Sequence, residues 1–73
     1  MPPLPSISSR EVLRAFQNAG FKIKRQKGSH IHLVKKERHV TIPLHDPIKR
    51  GTLRNAIRQA GMTVEEFLSY LHE

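Results

Sequence analysis

Residues 21–42 read FKIKRQKGSHIHLVKKERHVTI, and the period of their apolar positions decides the fold. Phe21 and Ile23, Ile31 and Leu33, and Val40 and Ile42 each alternate with charged or polar neighbours. Side chains point to opposite sides along an extended chain, so this spacing predicts three half-buried strands. Lys27-Gly28-Ser29 supplies a tight turn between the first two, and Lys36-Glu37-Arg38 a short polar turn between the second and third. Turns this short join antiparallel neighbours, because parallel strands need a crossover. One face of the predicted meander is apolar. The other carries Lys22, Lys24, His30, His32, His39 and Thr41.

On both sides of this stretch the period is helical. In ISSREVLRAFQNAG, Ser8 is placed to cap a helix with Glu11 at the reciprocal third position, and Ile7 to staple onto Val12. Val12, Leu13, Phe16 and Ala19 then share a face, and Gly20 is the expected left-handed stop, which puts the helix at about 8–19. Beyond Pro43 and Pro47, Leu53, Ala56, Ile57 and Ala60 form a second stripe that ends at Gly61, with Arg50, Arg54 and Arg58 on another face. Thr63 and Glu66 repeat the capping box, Met62 and Phe67 are placed as a second staple, and Phe67, Leu68 and Leu71 line a last short helix. The expected fold is a two-layer α+β domain of order α-β-β-β-α(-α), a three-stranded antiparallel sheet with its helices on one face. Residues 8–73 make the single domain. Residues 1–7, rich in proline, read as an extended and poorly ordered lead-in.

At 73 residues the chain sits near the lower limit for folding without help, so a deep enclosed site is not expected. It has no cysteine, hence no disulfide and no thiolate metal site. Apolar runs of three or four residues and the absence of a signal-peptide pattern make the cytoplasm the expected location. Thirteen Lys and Arg against six Asp and Glu give a net charge of +7, which calls for an anionic partner, phosphates being the commonest. Neither candidate helix has the broad apolar face with basic flanks that would lie in a membrane interface. A partner protein with an acidic surface is a further possibility.

His30 and His32 fall on the sheet face away from the apolar residues, which argues against a core role. Three readings stay open for them. They are solvated polar residues of an exposed sheet; or a His-X-His chelate with His39 or His45 adding a third nitrogen, although no Cys, Asp or Glu lies at a matching spacing; or proton-transfer groups. The third rests on imidazole's ordinary pKa of about 6.5, which lets one ring take a proton and return it. RNA cleavage poses that task, since a 2′-hydroxyl must lose a proton and a leaving 5′-oxygen must gain one. Lys22, Lys24 and Lys27 would disfavour the imidazolium and stabilise charge developing on phosphorus. The Gly28-Ser29 pair is first a hairpin turn and secondly a pair of amides for a phosphate. The Arg50, Arg54, Arg58 row reads first as a solvated helix face and secondly as a phosphate clamp. With no tryptophan, and with three of its four Phe and Tyr on apolar stripes, the chain lacks a platform for stacking bases.

These residues stand in a familiar order. Gly28-Ser29-His30, Ile42-Pro43-Leu44-His45, Gly51-Thr52-Leu53-Arg54, Gln59-Ala60-Gly61-Met62-Thr63 and Glu65-Glu66-Phe67 together make the chain resemble the HicA family of toxin endoribonucleases, over roughly residues 8–71. That family's small domain is similar to the double-stranded RNA-binding fold. The resemblance implies a type II toxin that cleaves mRNA without a metal or other cofactor, held inactive by a HicB-type antitoxin that masks the His30 face. It places the catalytic histidine at His30 and a supporting role at His45. Lys22, Lys24, Lys27, Gly28, Ser29, His32, Arg50 and Arg54 are the expected RNA-binding residues, and the free protein is compatible with a monomer. The rival expectations are a non-catalytic RNA-binding module, in which the same face only holds phosphates, and an interaction protein that docks an acidic partner.

Overall fold

The computed structural model describes residues 4–73. Its elements follow the predicted order: α1 (Ser9–Asn18), β1 (Lys22–Lys27), β2 (His30–Lys35), β3 (Arg38–Pro43), α2 (Arg50–Gln59) and α3 (Val64–Leu71). The strands form one antiparallel sheet of order β1-β2-β3. Both predicted capping boxes are present. The Ser8 hydroxyl accepts from the Glu11 amide while the Glu11 carboxylate accepts from the Ser8 amide, and Thr63 and Glu66 do the same for α3. Each box satisfies helix-end donors that would otherwise lack partners.

The core lies between the sheet and the helices. Ile31, Leu33, Val40 and Ile42 are buried on one sheet face, and Val12, Ala15, Phe16, Leu53, Ala56, Ile57, Phe67 and Leu71 are buried above them. Phe16 sits at the centre, its ring 5.5 Å from Phe21 in an edge-on pair and 5.4 Å from Phe67. α1 packs chiefly on α3, and both α1 and α2 lie against β3. This leaves β1 at the uncovered edge.

That placement corrects the reading of the first strand. Every residue of β1 is exposed, and Ile23, expected to be half-buried, is 48% exposed. Phe21 alone carries the predicted burial, from just outside the strand. β1 is also irregular. Ile23 pairs with Leu33 but Arg25 pairs with His32, so Lys24 and Arg25 together stand opposite one residue of β2. Such a bulge adds a residue to one strand and shifts every later side chain in register. On an edge strand it also blunts the exposed backbone, as do the lysines of β1.

The proline-rich lead-in is a second correction. Residues 1–3 lie outside those described, but Leu4 is only 3% exposed and Ile7 is buried with it. The Leu4 carbonyl accepts from Arg50 Nε at 2.9 Å, and the Ile7 carbonyl accepts from the Ile48 amide at 3.0 Å. The segment from Leu4 onward is therefore extended but docked, because two apolar side chains and two carbonyls find partners near the start of α2.

Asp46 fastens the same region from a distance. Its Oδ1 accepts from the Ser9 amide at 2.7 Å and from the Ser9 hydroxyl at 3.0 Å, at the first turn of α1. The Ser9 amide, then its hydroxyl, and the nearby His45 and Arg10 charges hold the Asp46 carboxyl below its ordinary value. A carboxyl lowered by folding contributes stability above its unfolded pKa and loses that contribution as pH falls through its folded pKa. The melting temperature of Asp46→Asn should therefore lie below that of the wild type at neutral pH, and the gap should close as acid, below about pH 4, protonates the native carboxylate. A gap that stays constant down to strong acid would show that charge on Asp46 contributes nothing.

Candidate active site

The outer sheet face is built by cross-strand rows. Lys27, His30 and Pro43 form one row, Arg25, His32 and Thr41 the next, and Lys22, Val34 and His39 the last. Partners in a row share a face, so the histidines do lie opposite the core as the strand period requires. The bulge brings Arg25 into this set beside Lys24, a residue the sequence reading left out. The only signal for it was the polar run Lys24-Arg25-Gln26-Lys27, in which strict alternation breaks down.

His30 is the first residue of β2 and is exposed. Its position follows from the turn before it. Gly28 holds φ at 59°, the positive value that the first central residue of a type II′ two-residue hairpin requires, and nothing lies within 4 Å of the place a Cβ would occupy. Gln26 Nε2 donates to the Gly28 carbonyl at 3.2 Å, and the Leu44 amide donates to the Ser29 carbonyl. The corner carrying His30 is thus tied to both neighbouring strands while its ring stays open to solvent. Among the described residues no hydrogen bond engages that ring.

The other histidines are in different circumstances. His32 is half-buried and its Nδ1 lies 3.2 Å from Thr41 Oγ1, a cross-strand hydrogen bond that occupies one ring nitrogen. His39 is exposed in the row farthest from His30. His45 follows β3 by two residues, and its Nδ1 is 3.0 Å from the Pro47 carbonyl. A carbonyl can only accept, so Nδ1 carries the proton and Nε2 is free. Beside it a shallow open cleft of about 230 Å³ is lined by Pro43, His45, Lys49 and Thr52.

The two expected arginines are not in the cross-strand rows of His30 and His32, although Arg50 shares an open cleft with His45. Both are exposed on α2, in the helical layer; Arg50 is partly engaged by the Leu4 carbonyl, and Arg54 lines a cleft between α2 and α3 with Arg58 and Met62. Among the described residues no three of His, Cys, Asp and Glu cluster as metal ligands. Nor, among the described residues, is any helix long and apolar enough to cross a membrane.

The arrangement offers an open imidazole at a tight turn, cations at Lys22, Lys24, Arg25 and Lys27 along the same edge, and a second imidazole beyond Pro43. It can bind a phosphodiester across an open surface and exchange protons with it. No curated protein matches the chain. A protein-family model described as HicA toxin of bacterial toxin-antitoxin matches residues 9–62, from the start of α1 to just past the end of α2, and includes both the Gly28–Ser29–His30 and the Pro43–Leu44–His45 corners. With well over half its length matched, the chain belongs to the HicA toxin family of bacterial toxin–antitoxin systems.

Proposed function

We propose that this toxin is a metal-independent endoribonuclease that cleaves mRNA in the cytoplasm, with His30 as a proton-transfer group. The observation that carries the reading is the placement of His30, exposed on the tied Gly28-Ser29 corner with Lys27 as its cross-strand neighbour. RNA phosphates lie across Lys22, Lys24, Arg25, Lys27 and the turn amides, and the 2′-oxygen next to the bound phosphate attacks phosphorus. The bond from phosphorus to O2′ forms as that to O5′ breaks. The 2′-proton is taken up and a proton is returned to O5′, leaving a 2′,3′-cyclic phosphate and a 5′-hydroxyl. Acid–base catalysis of this kind contributes about 10²–10⁴-fold per group.

The HicB-type antitoxin is proposed to cover the His30 face, where an acidic surface would meet Lys22, Lys24, Arg25 and Lys27. The clefts beside His45 and between α2 and α3 are shallow and open, which fits a substrate recognised by its backbone and not by an enclosed base.

The test is cleavage of a labelled, unstructured RNA by purified protein in excess EDTA, with analysis of the product ends. Cyclic phosphate and 5′-hydroxyl ends are expected. Products bearing a 5′-phosphate, or activity that vanishes with EDTA, would overturn the mechanism. RNA binding without cleavage would leave a binding module.

A further inference from the structure

We infer that His45 is the group that protonates the leaving 5′-oxygen, the partner of His30 in the reaction. The inference rests on the nuclease reading above and assigns the half of the proton transfer that reading leaves open. Four observations lead to it. His30 and Pro43 are a cross-strand pair, and such partners lie about 5 Å apart at Cα. Pro43 forms one wall of the cleft, and His45 and Lys49 form others, so the cleft begins where the His30 row ends. The Leu44 amide bonded to the Ser29 carbonyl extends the β2–β3 pairing one residue further and holds the two corners together. The bond from Nδ1 to the Pro47 carbonyl orients the His45 ring and leaves Nε2 as its only free nitrogen.

The rival groups fit less well. His32 is half-buried, and its Nδ1 faces the Thr41 hydroxyl, which can donate as well as accept and so does not fix which ring nitrogen carries the proton; His39 stands two rows away from His30. A lysine ammonium is a weaker acid, better suited to holding the phosphate than to giving up a proton. His45 in its charged form has partners for that charge: the Pro47 carbonyl accepts a hydrogen bond from Nδ1–H, and Asp46 lies close enough for the two opposite charges to attract. In the step itself His30 takes the 2′-proton as O2′ bonds to phosphorus, and the Nε2 proton of His45 passes to O5′ as its bond to phosphorus breaks. Both rings then return to their starting states by exchange with water. Lys49, on the cleft wall, faces the phosphate oxygens.

Leaving-group chemistry separates this role from a structural one. The bond cleaved by the wild type is first mapped, and the same RNA is then made with sulfur in place of the 5′-oxygen at that bond. A thiolate leaves without needing a proton, while binding and the attacking group are unchanged. His45→Asn keeps an amide able to donate to Pro47 but has no group to supply the proton. We expect His45→Asn to slow cleavage of the ordinary RNA by about 10²-fold or more and to cleave the sulfur-containing RNA at close to the wild-type rate. His30→Ala should slow both. Equal slowing of both RNAs by His45→Asn, with an unchanged melting temperature, would make His45 a binding or orienting residue, and no slowing of the ordinary RNA would remove it from the reaction. If the folded wild type cleaves neither RNA, it is the nuclease reading that fails, and the assignment falls with it.

Discussion

His30→Ala is expected to lower the rate of RNA cleavage by about 10²–10⁴-fold, the range that a lost acid–base group gives, while changing folding stability by no more than about 0.5 kcal/mol. The two halves of this expectation come from one fact. The ring is exposed at the first position of β2 and, among the described residues, takes part in no hydrogen bond, so its removal leaves no cavity and no unpaired partner. The turn that positions it is held by backbone, through Gly28, the Gln26 side chain and the Leu44 amide, and none of these bonds involves the imidazole. RNA affinity should also survive, since the proposed phosphate contacts are chiefly Lys22, Lys24, Arg25 and Lys27. Cleavage rates under saturating RNA, beside thermal melts of the same samples, check it. A variant that fails to fold would return His30 to a structural role, and one that cleaves at the wild-type rate would move the chemistry elsewhere.

The second large effect is on stability. Phe16→Ala is expected to cost about 3–5 kcal/mol, the usual range for an aromatic ring removed from a core. Phe16 is fully buried and touches the rings of Phe21, at the entry to β1, and Phe67, on α3. A single core in a chain of 73 residues rarely supplies more than about 3–5 kcal/mol of net stability, so this single change should leave much of the protein unfolded at 25 °C. Urea titration followed by circular dichroism should find the transition shifted to near zero denaturant. A midpoint close to that of the wild type would mean that the core closes over the lost ring, contrary to the packing of three aromatic residues in one cluster.

Of the candidate site, the histidine face was legible because strand alternation alone separates Ile31 and Leu33 from His30 and His32. The Gly28-Ser29 turn was legible too, since a glycine between two alternating runs has a specific backbone use. Arg25 was not. It reaches the site only because the strand carries one residue more than its partner at that point, and the polar run around it does not fix which residue is the extra one. His45 was visible as a residue but not as a geometry. Its ring is oriented by a carbonyl two residues away within an irregular loop, and such loops follow no period.

What the sequence determined by itself were the features governed by interactions within a few residues: three helices with two capping boxes, the glycine stops at Gly20 and Gly61, and three strands joined by two short turns. Their energies depend on neighbours along the chain, so the chain order suffices to read them. Only the tertiary structure decided the exposure of Ile23, the docking of Leu4, and the capping of α1 by Asp46 from 37 residues away. Each of those depends on which surfaces are left uncovered once the helices have settled on β3. That is a property of the assembled layers, and no local pattern of residues encodes it.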